Sequence, residues 1–530
     1  MLLDFQVADL QHKALPRTVV IGSGPVGLAV AMGLRRRGIA VTLLEGGPEI
    51  ASASDEFNDG DISGLPFTGV FKRGRGLGGG TSQWAGQCLR FHAADFERRD
   101  WVAESGWPIG YDDLAPFYSE AEEFFDVTAD GYLARVWHDF GLEPGSLVDP
   151  DVYVRFSVFA RKPQVFERDR GRWERDPDCL IVYNGMATQL QRDGSRVKSI
   201  TVRSRGGKSL TIPVDLMVLC LGGIETPRML LEATPDFPHG IAGGNPHVGK
   251  HLQDHPHMVI GRIESSGSRA DITRYLSSFY RRGRRYLPRL VLSASRQQEL
   301  EVLNACGIAL FEWPEDSVTQ NLRELQSAIS GHRFDLSLSS RIARTLKEPR
   351  ALSRTARARL RGDSFGEVPT AINLEGYVEQ DPSTASCVTL SDRLDPHGRP
   401  LASVKWTVGD FERRALVNLG SEVDSYLRRN GVGRVVMSET LRDASDAWQA
   451  GLGDNQHHVG TARMAKSVTD GVVDSNCKYF GLNNLFLCGG AVMPTGSHAN
   501  PTLTMTALGF RLAAHLGKER NVLRLQDGAV

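Results

Sequence analysis

Short apolar runs punctuated by glycine open this chain and predict its first elements. Residues 18–21, Thr-Val-Val-Ile, read as a buried strand running into Gly22-Ser23-Gly24-Pro25-Val26-Gly27. Residues 28–37 then take a helical pattern, Gly38 stops the helix, and residues 39–44 make a second apolar strand ending in Glu45. A turn over residues 106–114 leads into a helical stretch at 114–125. Alternating strands follow near 179–190 and 197–203. Residues 214–221 read as a further strand, which Gly222-Gly223-Ile224-Glu225-Thr226-Pro227-Arg228 turns into a helix. Residues 388–406 pattern as a hairpin with Asp395-Pro396-His397-Gly398 at its turn. No internal repeat or low-complexity linker interrupts the series.

The first three elements form a complete β-α-β unit whose glycines have separate tasks. Gly22 permits the tight turn, Gly24 lets a pyrophosphate approach the backbone, and Gly27 lets the helix pack closely on the strand. Glu45, at the end of the second strand, is placed for a ribose hydroxyl and argues against a 2′-phosphate. A second match to the same spacing, Gly74-Arg75-Gly76-Leu77-Gly78-Gly79, runs into Gly80-Thr81-Ser82-Gln83-Trp84-Ala85-Gly86 rather than a helix-forming segment. It reads as a glycine loop that exposes backbone N–H groups.

The tail of the chain brings candidate chemistry together. His457-His458-Val459-Gly460-Thr461 supplies imidazoles, and Gly496-Ser497-His498-Ala499-Asn500-Pro501-Thr502 supplies a carboxamide. Asn500 suits an N-cap and Pro501 the first helical position, so residues 502–508 are predicted to be helical. The positive end of that helix would favour a buried anion, or a ring system that becomes anionic on reduction.

Length and composition narrow the setting. The chain has 530 residues, enough for two or more domain-sized units. Its 62 basic and 63 acidic residues leave a net charge of −1, so nothing global points to nucleic acid. The seven cysteines are scattered without a C-x-x-C pair, which fits a reducing cytoplasm better than disulfides or zinc. No apolar run reaches the length of a membrane span, and residues 1–6 lack the features of a secretory signal. A cytoplasmic location is the expectation. The His-rich stretch 248–256, which contains His251, Asp254 and His255, lacks four-coordinate metal spacing, and no metal is expected.

Between about 265 and 450 the motifs fade. Residues 279–289 and 341–361 are strongly basic. The second run interleaves Arg341, Arg344, Lys347, Arg350, Arg354, Arg357, Arg359 and Arg361 with Ile342, Leu346, Leu352 and Leu360. A membrane-surface helix is one reading. Pro349 interrupts the pattern, which favours a solvated face or a subunit contact instead.

Taken together, these motifs resemble the glucose–methanol–choline (GMC) oxidoreductases. The resemblance rests on the fingerprint at Gly22, the loop Gly78-Gly79-Gly80-Thr81-Ser82 and the turn at residues 223–227. It rests also on a closing block from Gly471-Val472-Val473-Asp474 through residues 483–487 to Asn500-Pro501-Thr502-Leu503-Thr504. That block is most similar to the pyranose-oxidase and bacterial sugar-oxidising branch; glucose oxidase carries a second His where Asn500 stands.

The resemblance implies an α/β fold: a discontinuous Rossmann-like FAD-binding domain of GMC type (1–110, 180–265, 455–530) and a discontinuous α+β substrate-binding domain (111–179, 266–454). It implies FAD contacts at Gly22, Gly24, Gly27, Glu45, Arg75, Gly79, Gly80, Thr81, Ser82, Trp84, Ala187, Gly490, Pro501 and Thr502. Gln83 stands where pyranose oxidases have a flavin-linking His, so the FAD is expected to be non-covalent. Gly489 replaces the Asp of the family's D-A-S motif, leaving flavin phosphate contacts there to backbone groups.

The implied reaction is oxidation of a CH–OH group to a carbonyl, with hydride passing to flavin N5. His457 matches the catalytic His of an H-x-x-G-T pattern and Asn500 its partner, with His498 as reserve base. The residue chemistry agrees. An aliphatic alcohol is too weak an acid to lose its proton to an imidazole of pKa ~6.5 as a separate step. Proton and hydride must therefore leave together, with neutral His457 as the acceptor. The implied substrates are sugars, glycosides or amino sugars, aminoglycosides included, with oxygen or another electron acceptor. Glu312, Glu315 and Asp316 would suit a cationic substrate, and surface solvation explains them equally. The rival readings are a non-redox FAD lyase of the same fold, an oxidoreductase of simple alcohols, an NAD-dependent dehydrogenase and a non-catalytic flavin-binding protein. Homo-oligomerisation stays open.

Overall fold

A computed structural model describes residues 1–127, 132–133, 135–139, 149–315, 317–330, 342, 345–363, 365–383, 385–443 and 445–527. Six short strands form one parallel sheet, in the order Leu2–Asp4, Cys179–Tyr183, Val41–Leu44, Thr18–Ile21, Leu216–Leu219, Leu485–Leu487. Thr18–Ile21 and Val41–Leu44 are buried at every position, as strands covered on both faces must be. The connecting helix spans Pro25–Arg35 and so starts earlier than residue 28, because Pro25 occupies the first helical turn directly after Gly24. The terminal helix Thr502–Asp527 packs against it so closely that a Cβ on Gly33 would lie 2.6 Å from Ala513 Cβ.

The stretch 179–190 is two strands, not one. Asn184 in the left-handed conformation (φ 56°) and Gly185 bend the chain out of the parallel sheet. Met186–Asp193 then pairs with Arg196–Arg203, and that strand with Ser209–Pro213, in an antiparallel meander.

The second large sheet is antiparallel. Its order is Gly433–Met437, His257–Ser265, Ala371–Val378, Ala305–Glu312, Arg284–Leu292, Val152–Phe159, Gln87–Cys88, with Phe279–Arg281 added on Arg284–Leu292. Helix Asp410–Arg429 lies across it. Gly420 and Gly376 allow that approach, since Cβ atoms there would meet Met437 Sδ at 2.2 Å and Leu416 Cδ2 at 2.7 Å. The sequence boundaries put residues 257–265 and 87–88 with the nucleotide-binding half. Both strands pair in this sheet instead, and the mixed burial along His257–Ser265 suits an antiparallel strand with two unlike faces.

The hairpin Cys387–Leu394 and Pro400–Trp406 closes through the Gly398 N–H donating to the Asp395 carbonyl (2.8 Å). Pro400–Trp406 also pairs in parallel with Gly60–Gly64, which ties early and late chain together. In the basic segment a helix starts at Pro349, which takes its first position, and ends at Arg361. Ala351, Thr355 and Ala358 face inward, while Arg350, Arg354, Arg357, Arg361 and Leu360 are exposed. Arg341 and Arg344 lie outside the described residues. Among the described residues, no helix is long and apolar enough to cross a membrane.

Candidate active site

Where the parallel sheet's first crossover meets the tail of the chain lies a cavity of about 560 Å3. Its wall runs from Gly22, Gly24, Glu45, Arg75, Gly79, Gly80, Thr81, Trp84 and Ala187 to His457, Gly490, Asn500 and Thr502. The fingerprint and the candidate chemistry thus share one chamber. Gly27, Ser82 and Pro501 stand behind the wall. At Gly27 a Cβ would fall 1.8 Å from the Gly22 carbonyl oxygen, so this glycine is a packing requirement. The Ser82 hydroxyl donates to the Gly79 carbonyl (2.8 Å).

At the fingerprint end the backbone is bare. Helix Pro25–Arg35 has no side-chain cap, and a Cβ on Gly24 would meet nothing within 4 Å. Gly22 has φ +100°, and a Cβ there would strike the Cys220 carbonyl oxygen at 2.5 Å. The glycine loop packs onto the fingerprint, with Gly79 close enough that its Cβ would lie 2.8 Å from Gly24 Cα. A short 3-10 turn, Gly79–Ser82, follows. Glu45 accepts the Ser23 N–H (3.0 Å) and hydroxyl (2.7 Å) on one oxygen and the Gly47 N–H (2.8 Å) on the other. Three of about four acceptor positions are filled, so the carboxylate shapes the turn and keeps one for a ligand.

At the other end a hydrogen-bonded chain of side chains crosses between the halves. Arg289, on strand Arg284–Leu292, donates to Asn500 Oδ1 (2.5 Å) and to the His498 carbonyl (3.0 Å). Asn500 Nδ2 lies 3.3 Å from His457 Nε2. His457 Nδ1 lies 2.9 Å from His255 Nδ1, and His255 Nε2 lies 3.1 Å from the Gly496 carbonyl. Asp254 Oδ1 accepts the N–H groups of His255 (2.6 Å), His457 (3.0 Å) and Asn455 (3.2 Å), pinning the backbone that carries both rings.

Burial dominates the electrostatics. It drives His457 well below the ordinary imidazole value, reinforced by His255 and Arg289. Burial also lowers His255 to about 4 and His458 to about 3, so all three rings are neutral at pH 7. Asp254 moves the other way, raised by burial to about 7. Its Oδ2 has no hydrogen-bond partner among the described residues and sits 3.9 Å from His458 Nε2.

The expected helix start is off by one residue. The Pro501 carbonyl accepts the Met505 N–H (2.8 Å), so Pro501 is the N-cap and Thr502 the first helical residue. Asn500 is freed from capping, and its amide turns to the cavity. His498, the reserve base, is excluded: it is 2 % exposed, its Nδ1 pairs with Asn304 Oδ1 (3.0 Å), and it is absent from the cavity wall. Glu312 and Glu315 are also absent from the wall; Glu312 is exposed and accepts from Asn373. Asp316 lies outside the described residues.

Three partners escaped the sequence reading. His255 and Asp254 stood in a stretch considered only for metal, and Arg289 in a segment without motifs. For Arg289 no sequence signal exists, since 211 positions separate it from Asn500.

Residues 382–509 match the family model described as GMC oxidoreductase, and residues 17–57 match that of pyridine nucleotide-disulphide oxidoreductase. The chain is 24 % identical to 2-methyl-1,2-propanediol dehydrogenase of Mycolicibacterium austroafricanum, over 94 % of this chain and 95 % of that protein. It is 22 % identical to the fructose dehydrogenase large subunit of Gluconobacter japonicus, over 93 % and 96 %. The structure superposes on pyridoxine 4-oxidase from Mesorbium loti with a TM-score of 0.53 at 18 % identity, covering 94 % of this chain and 98 % of that one.

Proposed function

We infer that this chain is a GMC oxidoreductase, an FAD-dependent enzyme acting on alcohol-like substrates: the model of that family matches its residues 382–509, and its full-length relatives are dehydrogenases of a diol and of fructose. The residues present fit that cofactor. Uncapped backbone at Gly24, the glycine loop and Glu45 suit its dinucleotide portion, and one continuous chamber leads from them to His457 and Asn500. Gln83 lines the chamber, and its amide forms no covalent link to a flavin, so the cofactor is held non-covalently. Bound FAD supplies the two-electron acceptor for the C–H bond that breaks as CH–OH becomes C=O.

The protein supplies the proton's path and the substrate's orientation. Neutral His457 presents Nε2 to the chamber as base for the hydroxyl proton. Without substrate, Asn500 directs one amide hydrogen at the single lone pair of Nε2; a substrate hydroxyl takes that place on Nε2, and the amide then donates to the substrate oxygen. Arg289, bonded to the amide oxygen, polarises that group and strengthens it as a donor.

The substrate we propose is a hydroxyl of a sugar or glycoside. The closing-block resemblance supports it, as does a relative that oxidises fructose; the diol-oxidising relative marks the simple-alcohol alternative. The single observation carrying the reaction is the 3.3 Å contact between Asn500 Nδ2 and His457 Nε2 on the chamber wall. The test is anaerobic flavin bleaching by a panel of sugars, glycosides and diols. A sugar or glycoside should bleach the flavin, and His457→Ala should slow bleaching about 10²–10⁴-fold with FAD still bound. Unchanged kinetics in that variant would remove His457 from the reaction.

A further inference from the structure

We propose that His255 is a positioning residue that decides which nitrogen of His457 carries the proton, leaving Nε2 unprotonated as the base. The inference rests on the reading of His457 as base and deepens it. It follows from the direction of each hydrogen bond in the chain just described. Arg289 has only donors, so Asn500 Oδ1 is an acceptor and the group facing His457 is the NH2. An NH2 can only donate, so His457 Nε2 has no hydrogen. Neutral His457 then carries its hydrogen on Nδ1, 2.9 Å from His255 Nδ1, which must accept it. His255 therefore keeps its own hydrogen on Nε2, where the Gly496 carbonyl, an acceptor only, lies at 3.1 Å.

Both ends of the chain are one-way groups, so one arrangement of hydrogens satisfies every link. Reversing His457 would set two donors against each other at Asn500 and two bare nitrogens against each other at His255. Asp254 holds the two rings in register through the N–H groups of both residues, and His255 is 2 % exposed, which keeps water from substituting for it. The remaining groups acting on His457 are Arg289, His458 and His257. None of the two neighbouring histidines reaches its Nδ1 among the described hydrogen bonds. The Asp254-His255 pair in the stretch 248–256 thereby gains a role beside the base.

The test uses holoenzyme labelled with 15N-histidine, read by imidazole 15N–1H correlation spectra and by anaerobic flavin reduction. Wild-type His457 should show the Nδ1–H form. His255→Leu should lose that form and slow reduction about 10²-fold with little change in the apparent substrate Kd. His255→Gln, whose side-chain oxygen can accept from Nδ1, should keep the tautomer and recover most of the rate. A proton on Nε2 in the wild type overturns the proposal, as does a Leu variant that keeps tautomer and rate, or a Gln variant no better than Leu. Should the Leu variant fail to hold FAD, the wild-type and Gln spectra still decide. Should no alcohol reduce the wild-type flavin, the proposed reaction fails while the spectra judge the tautomer separately.

Discussion

The two sheets contribute to the chamber in opposite ways. The parallel sheet delivers its share through consecutive residues: Gly22 to Gly27 form one turn, and Glu45 is only one strand further on. The antiparallel sheet delivers single side chains from distant points. Arg289 sits mid-strand, and Asp254-His255 just precede strand His257–Ser265. The proposed cofactor-holding geometry is local in sequence and depends on what backbone can approach. The proposed proton-handling geometry is non-local and depends on which hydrogen-bond directions are compatible. Substitutions in the two regions should therefore fail differently.

The largest expected effect lies on the local side. In Gly27→Ala the new Cβ would sit 1.8 Å from the Gly22 carbonyl, which only a backbone shift can relieve. A loss of about 3 kcal/mol or more is expected, with FAD occupancy falling alongside Tm. Normal FAD content in that variant would break the comparison. Next comes Asn500→Ala, which removes a donor but leaves the fingerprint intact. FAD binding should persist while kcat drops roughly 10–10²-fold, the worth of one hydrogen bond next to a charge. Loss of FAD would mean that the tail also holds the cofactor.

The smallest effects concern pH. His255 and His458, near 4 and 3 in the folded protein, take up protons on unfolding below the ordinary value of about 6.5. Their contribution is complete above that value and declines as pH falls towards 4. Asp254, raised to about 7, acts in the opposite sense: the folded state binds its proton more readily, and that contribution is lost as pH rises from about 4 to 7. With His457 and His498 also held well below 6.5, four buried rings outweigh the buried carboxyls raised in the same range, Asp254, Glu412 and Asp95, so urea midpoints should increase between pH 4 and 6.5, and more steeply in Asp254→Asn. Activity should show no loss near 6.5, because burial already holds His457 neutral there; an acid limb at 6.5 would contradict that.

The same contrast explains what the sequence disclosed. The fingerprint was legible because glycine spacing reports backbone geometry directly, and the His457 and Asn500 readings followed from short, dense motifs. Asn500 has the residue type of an N-cap, yet Pro501 caps the helix, since type alone does not show which way an amide turns. The boundary at 265 cut through the wrong sheet because the pairing of His257–Ser265 is with residues 371–378 and 433–437, far along the chain. Arg289 looked like one more cation in a basic stretch. Only its burial beside Asn500 distinguishes it.

The order of strands in the parallel sheet has a consequence for biosynthesis. Its edge strand, Leu485–Leu487, and the helix covering its first crossover are translated hundreds of residues after Thr18–Ile21. On the ribosome the antiparallel layer can finish pairing at residue 437, while the nucleotide pocket still lacks a wall. Flavin capture should therefore be among the last events in the making of this enzyme, and nascent chains stalled before residue 485 should remain colourless.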